Sequence, residues 1–149
     1  MSLKSILAAK GDEVVSIDFT DDLAAAAKLL TKHRIGALVV LGVDGRLAGI
    51  LSERDIVRAM AESGSSTALQ LPVAQVMTRN VSTCDVNDSI SSVMDRMTKG
   101  RFRHMPVLDN DRLAGMISIG DVLERHIETI REHVHQLEES LTEFDLMRL

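Results

Sequence analysis

An internal repeat governs every other reading of this sequence. Val14-Val15-Ser16-Ile17-Asp18 aligns with Val81-Ser82-Thr83-Cys84-Asp85 at a shift of 67 residues, and Arg46-Leu47-Ala48-Gly49 aligns with Arg112-Leu113-Ala114-Gly115 at a shift of 66. One residue, near Gly42, is therefore extra in the first copy. Between these anchors Leu23, Ala26, Ala27 and Leu30 match Ile90, Val93, Met94 and Met97, the i, i+3, i+4, i+7 stripe of an amphipathic helix. Asp21 and Asp88 stand where such helices take their N-caps. A short apolar strand follows over 37–41 or 105–108, then a turn at Asp44-Gly45 or Asn110-Asp111, then a second strand ending at Leu51 or Ile117. A second helix starts at once, over 54–62 in the first copy and from Gly120 onward in the second. Each copy thus reads strand, helix, strand, strand, helix, an α/β unit. Alone, at ~60 residues, neither buries enough surface, so the two are expected to pack as one body around a pseudo-two-fold axis.

The expected organisation is an N-terminal segment over 1–13, the first motif over 14–62, a linker over 63–80, the second motif over 81–127 and a C-terminal helix over 128–149. Ser63-Gly64-Ser65-Ser66-Thr67 marks a loop over 62–70 between the halves. Past the second motif Ile127, Ile130, Val134, Leu137, Leu141 and Phe144 step by three and four, the a/d rhythm of a coiled-coil seam. The expected occupant of that seam is a second copy of the chain, the alternative being a helix packed on its own domain.

Several function classes are disfavoured. A net charge of −5 argues against general binding to a phosphate backbone, which needs a basic face. No apolar run reaches the ~18 residues of a membrane span, and residues 1–10 lack the long apolar stretch of a secretory leader, so a cytoplasmic protein is expected. The single Cys84 permits neither an intrachain disulfide nor a cysteine cage for metal, and is expected to be a small buried apolar residue. No Gly-x-Ser-x-Gly elbow and no glycine-rich phosphate loop occurs. His126, His133 and His135 lack carboxylate partners at metal-site spacing and are expected on the surface. No catalytic residue and no metal site is expected.

The chemistry that remains lies where strands meet helices. Gly49-Ile50-Leu51-Ser52-Glu53-Arg54-Asp55 and Gly115-Met116-Ile117-Ser118-Ile119-Gly120-Asp121 both open a helix with a serine and, three residues on, an aspartate. A helix N-terminus offers free N–H groups and the positive end of its dipole, suited to a phosphate, and an aspartate one turn in suits the paired hydroxyls of a ribose. The same pair could equally be a capping box that only satisfies the backbone. Lys32-His33-Arg34 and Lys99-Gly100-Arg101-Phe102-Arg103-His104 are local basic clusters. Arg103 and His104 run straight into the apolar Met105-Pro106-Val107, which points them toward a cleft shared by the repeats.

These residues resemble a tandem pair of CBS motifs, a Bateman module of the stand-alone bacterial kind. The blocks that carry the resemblance are Arg34-Ile35-Gly36-Ala37-Leu38-Val39-Val40 with 49–55, and Arg103-His104-Met105-Pro106-Val107 with 115–121. The resemblance implies two clefts that bind adenosyl ligands: AMP first, then NAD(H) or ATP, with S-adenosylmethionine in some members. One cleft would combine Ser118, Asp121, Arg103 and His104 with the backbone near Val15, Ile35 and Gly36. The other would combine Ser52 and Asp55 with Gly36, Ala37, Thr78, Ser82, Phe102 and Arg103, and Ser16, Arg54, Asn80 and Arg101 are further ligand-binding candidates not assigned to either cleft. Gly36 stands where the second repeat has Arg103, and Val39 where it has Pro106, so the clefts are expected to be unequal, with the tighter ligand beside Asp121. The implied role is a non-enzymatic regulatory sensor of energy or redox state, a homodimer that signals to a separate protein. The competing reading is a purely structural dimerisation module whose clefts stay empty.

Overall fold

The computed structural model describes residues 3–11 and 14–147; the expectations for residues 1–13 and 128–149 therefore fall partly outside the described residues, at 1, 2, 12, 13, 148 and 149. Helix α1 (Leu3–Lys10) comes first. The first repeat follows as β1 (Ser16–Asp18), α2 (Leu23–His33), β2 (Ala37–Leu41), β3 (Leu47–Ser52) and α3 (Glu53–Ser63). Two short helices, α4 (Ser65–Gln70) and α5 (Val73–Val76), cross to the second repeat: β4 (Cys84–Asp85), α6 (Ile90–Gly100), β5 (His104–Asp109), β6 (Arg112–Ser118) and α7 (Ile119–Met147). Each repeat forms its own three-stranded sheet, in which the first strand is parallel to the second and the second antiparallel to the third. This is the mixed α/β architecture that the repeat implied. No helix among the described residues is long and apolar enough to cross a membrane.

The copies agree in detail. Helices α2 and α6 end on Arg34 and Arg101, both left-handed at φ 53° and 56°, a conformation more often given to glycine. Both hairpins carry a register irregularity at the same place, Val40/Leu41 and Val107/Leu108. Asn110 and Asp111, at φ 50° and 64°, form a two-residue hairpin turn of the kind that needs two left-handed positions. The first hairpin uses its extra residue instead in a wider turn, closed by the Gly42 amide on the Arg46 carbonyl at 2.8 Å.

Two local expectations are corrected. The N-caps are Asp22 and Ser89, not Asp21 and Asp88; each accepts the amide three residues on, at 2.9 and 3.1 Å. Asp21 and Asp88 sit one step outside, and their carbonyls receive Val73 and Leu3 amides. The expected loop over 62–70 is largely the helix α4, held because Ala68 is buried against the first core. The helix expected from Gly120 onward runs without a break through the C-terminal segment, as α7 from Ile119 to Met147.

Two apolar cores result, one for each repeat, and each recruits a segment that precedes the other. The first contains Leu23, Leu30, Leu38, Val40, Leu51 and Ile56, completed by Ala68, Val73 and Met77, which precede the second repeat. The second contains Ile90, Val93, Met97, Met105, Val107 and Ile117, completed by Leu3 and Ile6 from α1, which precedes the first. Covering each sheet with the other copy's leader ties the repeats into one body and fixes the clefts between them.

Candidate functional site

Each strand that ends a hairpin delivers its last residue as a helix cap. Ser52 Oγ accepts the Asp55 amide at 3.3 Å, and Asp55 Oδ2 accepts the Ser52 amide at 2.9 Å. Ser118 and Asp121 repeat this at 3.2 and 2.8 Å. The capping-box alternative is therefore realised at both places. What each aspartate can do beyond capping depends on its surroundings. The helix starts are further anchored to the facing strands by Glu53 N–H to the Gly36 carbonyl, 2.9 Å, and Ile119 N–H to the Arg103 carbonyl, 2.8 Å.

The first cleft is a cavity of about 380 Å³, within the range usual for small-molecule sites. Its floor is Ser52, Arg54 and Asp55 at the start of α3, one wall is Thr78, Asn80 and Ser82 from the segment after α5, and the other is Arg101, Phe102, Arg103 and His104 at the entry to β5. Gly36 closes the inner end. Four arginines line it, Arg54, Arg58, Arg101 and Arg103, against two acids, Glu53 and Asp55. Asp55 is buried, and its second oxygen, Oδ1, is 3.6 Å from Arg58 Nη1 on the mostly exposed guanidinium. Glu53 and Arg58 had not been singled out from sequence. Arg58 lies four residues past Arg54, on the same helical face, which is the signal that would have found it.

The second cleft is a cavity of about 300 Å³ lined by Val15, Ile35, Gly36, Ala37, His104 and Ser118, together with Leu7, Lys10, Gly11 and Arg34. Asp121, expected here, does not line it. Lys10 Nζ lies 2.7 Å from Asp121 Oδ2 and 2.9 Å from the Met116 carbonyl, so the carboxylate stands behind an ammonium and borders a shallower depression beyond it. Burial pushes the Asp121 carboxyl up, but hydrogen bonds from Lys10 and the Ser118 amide outweigh this and hold it below the usual range. Arg103 lines the first cleft and not the second, whereas Ala37 lines the second and not the first. Ser16 lines neither, because it lies within β1, paired with Val39 of β2.

His104 borders both cavities and is half-buried between them. Burial, then Lys10 and Arg103, lower its pKa against the opposing pull of Asp121 and Glu53, so at neutral pH it offers one donor and one acceptor rather than a charge. Cys84 is buried in the second core and its thiol is pushed up to about 12 by that burial, which makes it unreactive. No group of histidine, cysteine or acidic side chains among the described residues could hold a metal.

A protein-family model described as CBS domain matches residues 8–62 and 73–128. Among curated proteins, a mitochondrial CBS domain-containing protein of Arabidopsis thaliana, CBSX3, is 37% identical over 123 residues; the match covers 79% of this chain and 59% of that protein. Among solved structures, a CBS-domain containing protein from Agrobacterium tumefaciens is similar at a TM-score of 0.79 and 46% identity, over 83% of this chain and 91% of that one. A CBS domain protein from Pyrobaculum aerophilum, solved complexed with AMP, is similar at 0.72 and 27% identity, over 81% and 89%.

Proposed function

The chain belongs to the CBS-domain family, with two such domains in tandem, and from that premise we propose that it is a regulatory module whose first cleft binds an adenine nucleotide, AMP ahead of NAD(H) or ATP. One observation carries the reading: eleven of the residues named from sequence meet in a single cavity that combines a helix N-terminus, four arginines and a buried carboxylate. Phosphate sits at the Ser52 end of α3, where the helix dipole and Arg54, Arg101 and Arg103 offer positive charge. The ribose hydroxyls reach Asp55 Oδ1, and the adenine lies among Ile50, Val81 and Phe102. The family likeness to a protein solved with AMP supports the ligand class. Because the cavity takes walls from both repeats, a bound ligand changes the balance between their arrangements, which is the physical basis of a sensor without catalysis.

The output is a homodimer and a separate target protein in the cytoplasm. From residue 127 to 147 every side chain of α7 is exposed, with Ile127, Ile130, Val134, Leu137 and Leu141 47–64% accessible along one stripe. An apolar stripe left in water along a projecting helix marks an interaction face, and the a/d spacing fits a second copy. Leu137→Glu is expected to give monomers in sedimentation velocity with an unchanged circular dichroism spectrum; a persistent dimer would move the contact elsewhere.

The satisfied capping boxes favour one rival, a structural module with empty clefts. The deciding test uses the absence of Trp and Tyr, which leaves the protein nearly transparent where nucleotides absorb. An adenine band that leaves with the small-molecule fraction on denaturation, or a thermal shift with AMP, supports the nucleotide reading. A bare spectrum and no shift with AMP, ADP, ATP, NAD(H) or S-adenosylmethionine would leave the structural module.

A further inference from the structure

The 67-residue shift that relates the repeats also relates the segments that lead into them: Ile6 corresponds to Val73, Lys10 to Met77 and Gly11 to Thr78. Each leader packs on the opposite repeat, so each closes one cleft from the side. At the first cleft the closure is made by backbone. Thr78 and Ile50 exchange two hydrogen bonds, 2.8 and 3.0 Å, while Met77 turns into the core. Among the described residues the one ion-pair partner of Asp55 is Arg58 of its own helix.

At the second cleft the counterpart of Ile50 is Met116, whereas the Gly11 amide, the counterpart of Thr78 N–H, goes to the Leu7 carbonyl at 2.9 Å rather than to Met116. The Met116 carbonyl receives the ammonium of Lys10, which at the same time bonds Asp121, the carboxylate that corresponds to Asp55. We infer that Lys10 is a built-in occupant of the second cleft, filling the position from which ligand hydroxyls would reach Asp121, so that each chain takes one nucleotide and takes it in the first cleft. This rests on the nucleotide reading of the first cleft and adds the residue that sets the number and place of the sites. A cation reaching one aspartate, where the other leader brings a neutral methionine that turns into the core, is a one-residue difference. The Lys10 ammonium is held at 2.7 and 2.9 Å but its side chain is 43% exposed, so its exclusion of ligand is worth about tenfold in affinity and not orders of magnitude more.

The experiment is a calorimetric titration of the full chain with AMP, paired with amide shift mapping. Wild type is expected to bind one AMP per chain, with shifts around Ser52 and Asp55 and none at Gly115 or Met116. Lys10→Met, which keeps the apolar stem, is expected to add a second site about tenfold tighter than any residual binding there, with new shifts at Gly115 and Met116. Lys10→Arg, which keeps the charge, is expected to stay at one. Two AMP per wild-type chain, or a Lys10→Met protein that stays at one with unmoved Gly115 and Met116 amides, would overturn the assignment while leaving the nucleotide reading intact. No AMP bound by any of the three would overturn both.

Discussion

The two clefts are assembled from equivalent strands, equivalent helix caps and equivalent left-handed turns, yet they are closed by different parts of the chain. At the first, a linker backbone lies against β3 and leaves a carboxylate and four arginines facing a cavity of about 380 Å³. At the second, side chains of α1 lie against β6 and the start of α7: Leu7 over Gly115, and Lys10 on the Met116 carbonyl and Asp121. Duplication thus yields two frames of equal shape, and what each frame can bind is decided by the residue that the neighbouring segment brings to it.

The largest effect expected from this difference is on ligand affinity. Asp55→Ala should weaken AMP binding by about 1.5–3 kcal/mol, the worth of a hydrogen bond to a charged group, whereas Asp121→Ala should leave it unchanged because Lys10 already holds that carboxylate. Calorimetry on both variants checks it, and equal losses would show the clefts to be alike. Since both substitutions break a capping box, each should also cost about 1 kcal/mol of stability, so the stability loss is the internal control and the affinity loss the discriminator.

Next in size is the response to a methyl group on the paired glycines. At Gly49 an added Cβ would meet the Thr78 carbonyl oxygen at 2.5 Å and Met77 Sδ at 2.9 Å, so backbone has to move. At Gly115 it would meet Leu7 Cδ2 at 2.6 Å, the far end of a side chain that can turn away. Gly49→Ala should therefore cost about 1–3 kcal/mol and Gly115→Ala clearly less, measured by denaturant unfolding followed by circular dichroism. The reverse order would mean that α1 is the more rigid of the two closures.

The repeats themselves were legible because their signals are local. Apolar periodicity placed Leu23, Leu30, Ile90 and Met97 on buried helix faces, and Asn110-Asp111 announced its turn. The N-caps were misplaced by one residue because Asp21 and Asp22, or Asp88 and Ser89, are adjacent residues that can each cap a helix, and only the position of the first buried side chain separates them. Much of the lining of the first cavity was named in advance, Ser52 and Asp55 through the repeated motif and Thr78 and Ser82 through the family resemblance. In the second, Val15, Ile35, Gly36, His104 and Ser118 were named in advance but its closure was not, because that rests on a contact between Lys10 and Asp121 across 111 residues of sequence, and nothing in the composition of 3–10 indicates on which repeat α1 comes to rest. Helix α4 was hidden for a similar reason: its Ser-Ser-Thr start reads as loop, and Ala68 is the small residue that the first core needs there.

The smallest expected effect tests whether the clefts sense one another through His104. Lys10 of α1 and Arg103 of its own strand entry lower its pKa together with burial, and Asp121 of α7 and Glu53 of α3 oppose them, leaving it below the ordinary 6.5. In the window between that lowered value and 6.5 the unfolded chain holds more protons than the folded one, so stability rises with pH through the window and is complete above it. The same stability is lost as the pH falls toward the folded value. Replacing Lys10 with Met removes a positive charge from the second cleft, so the His104 pKa should rise toward 6.5 and the slope of stability with pH should flatten. An imidazole NMR titration of both proteins measures the shift directly. An unmoved His104 would mean that the ammonium does not rest beside the imidazole in solution, and the difference between the clefts would then have to lie in Leu7 and the shape it gives the second cavity.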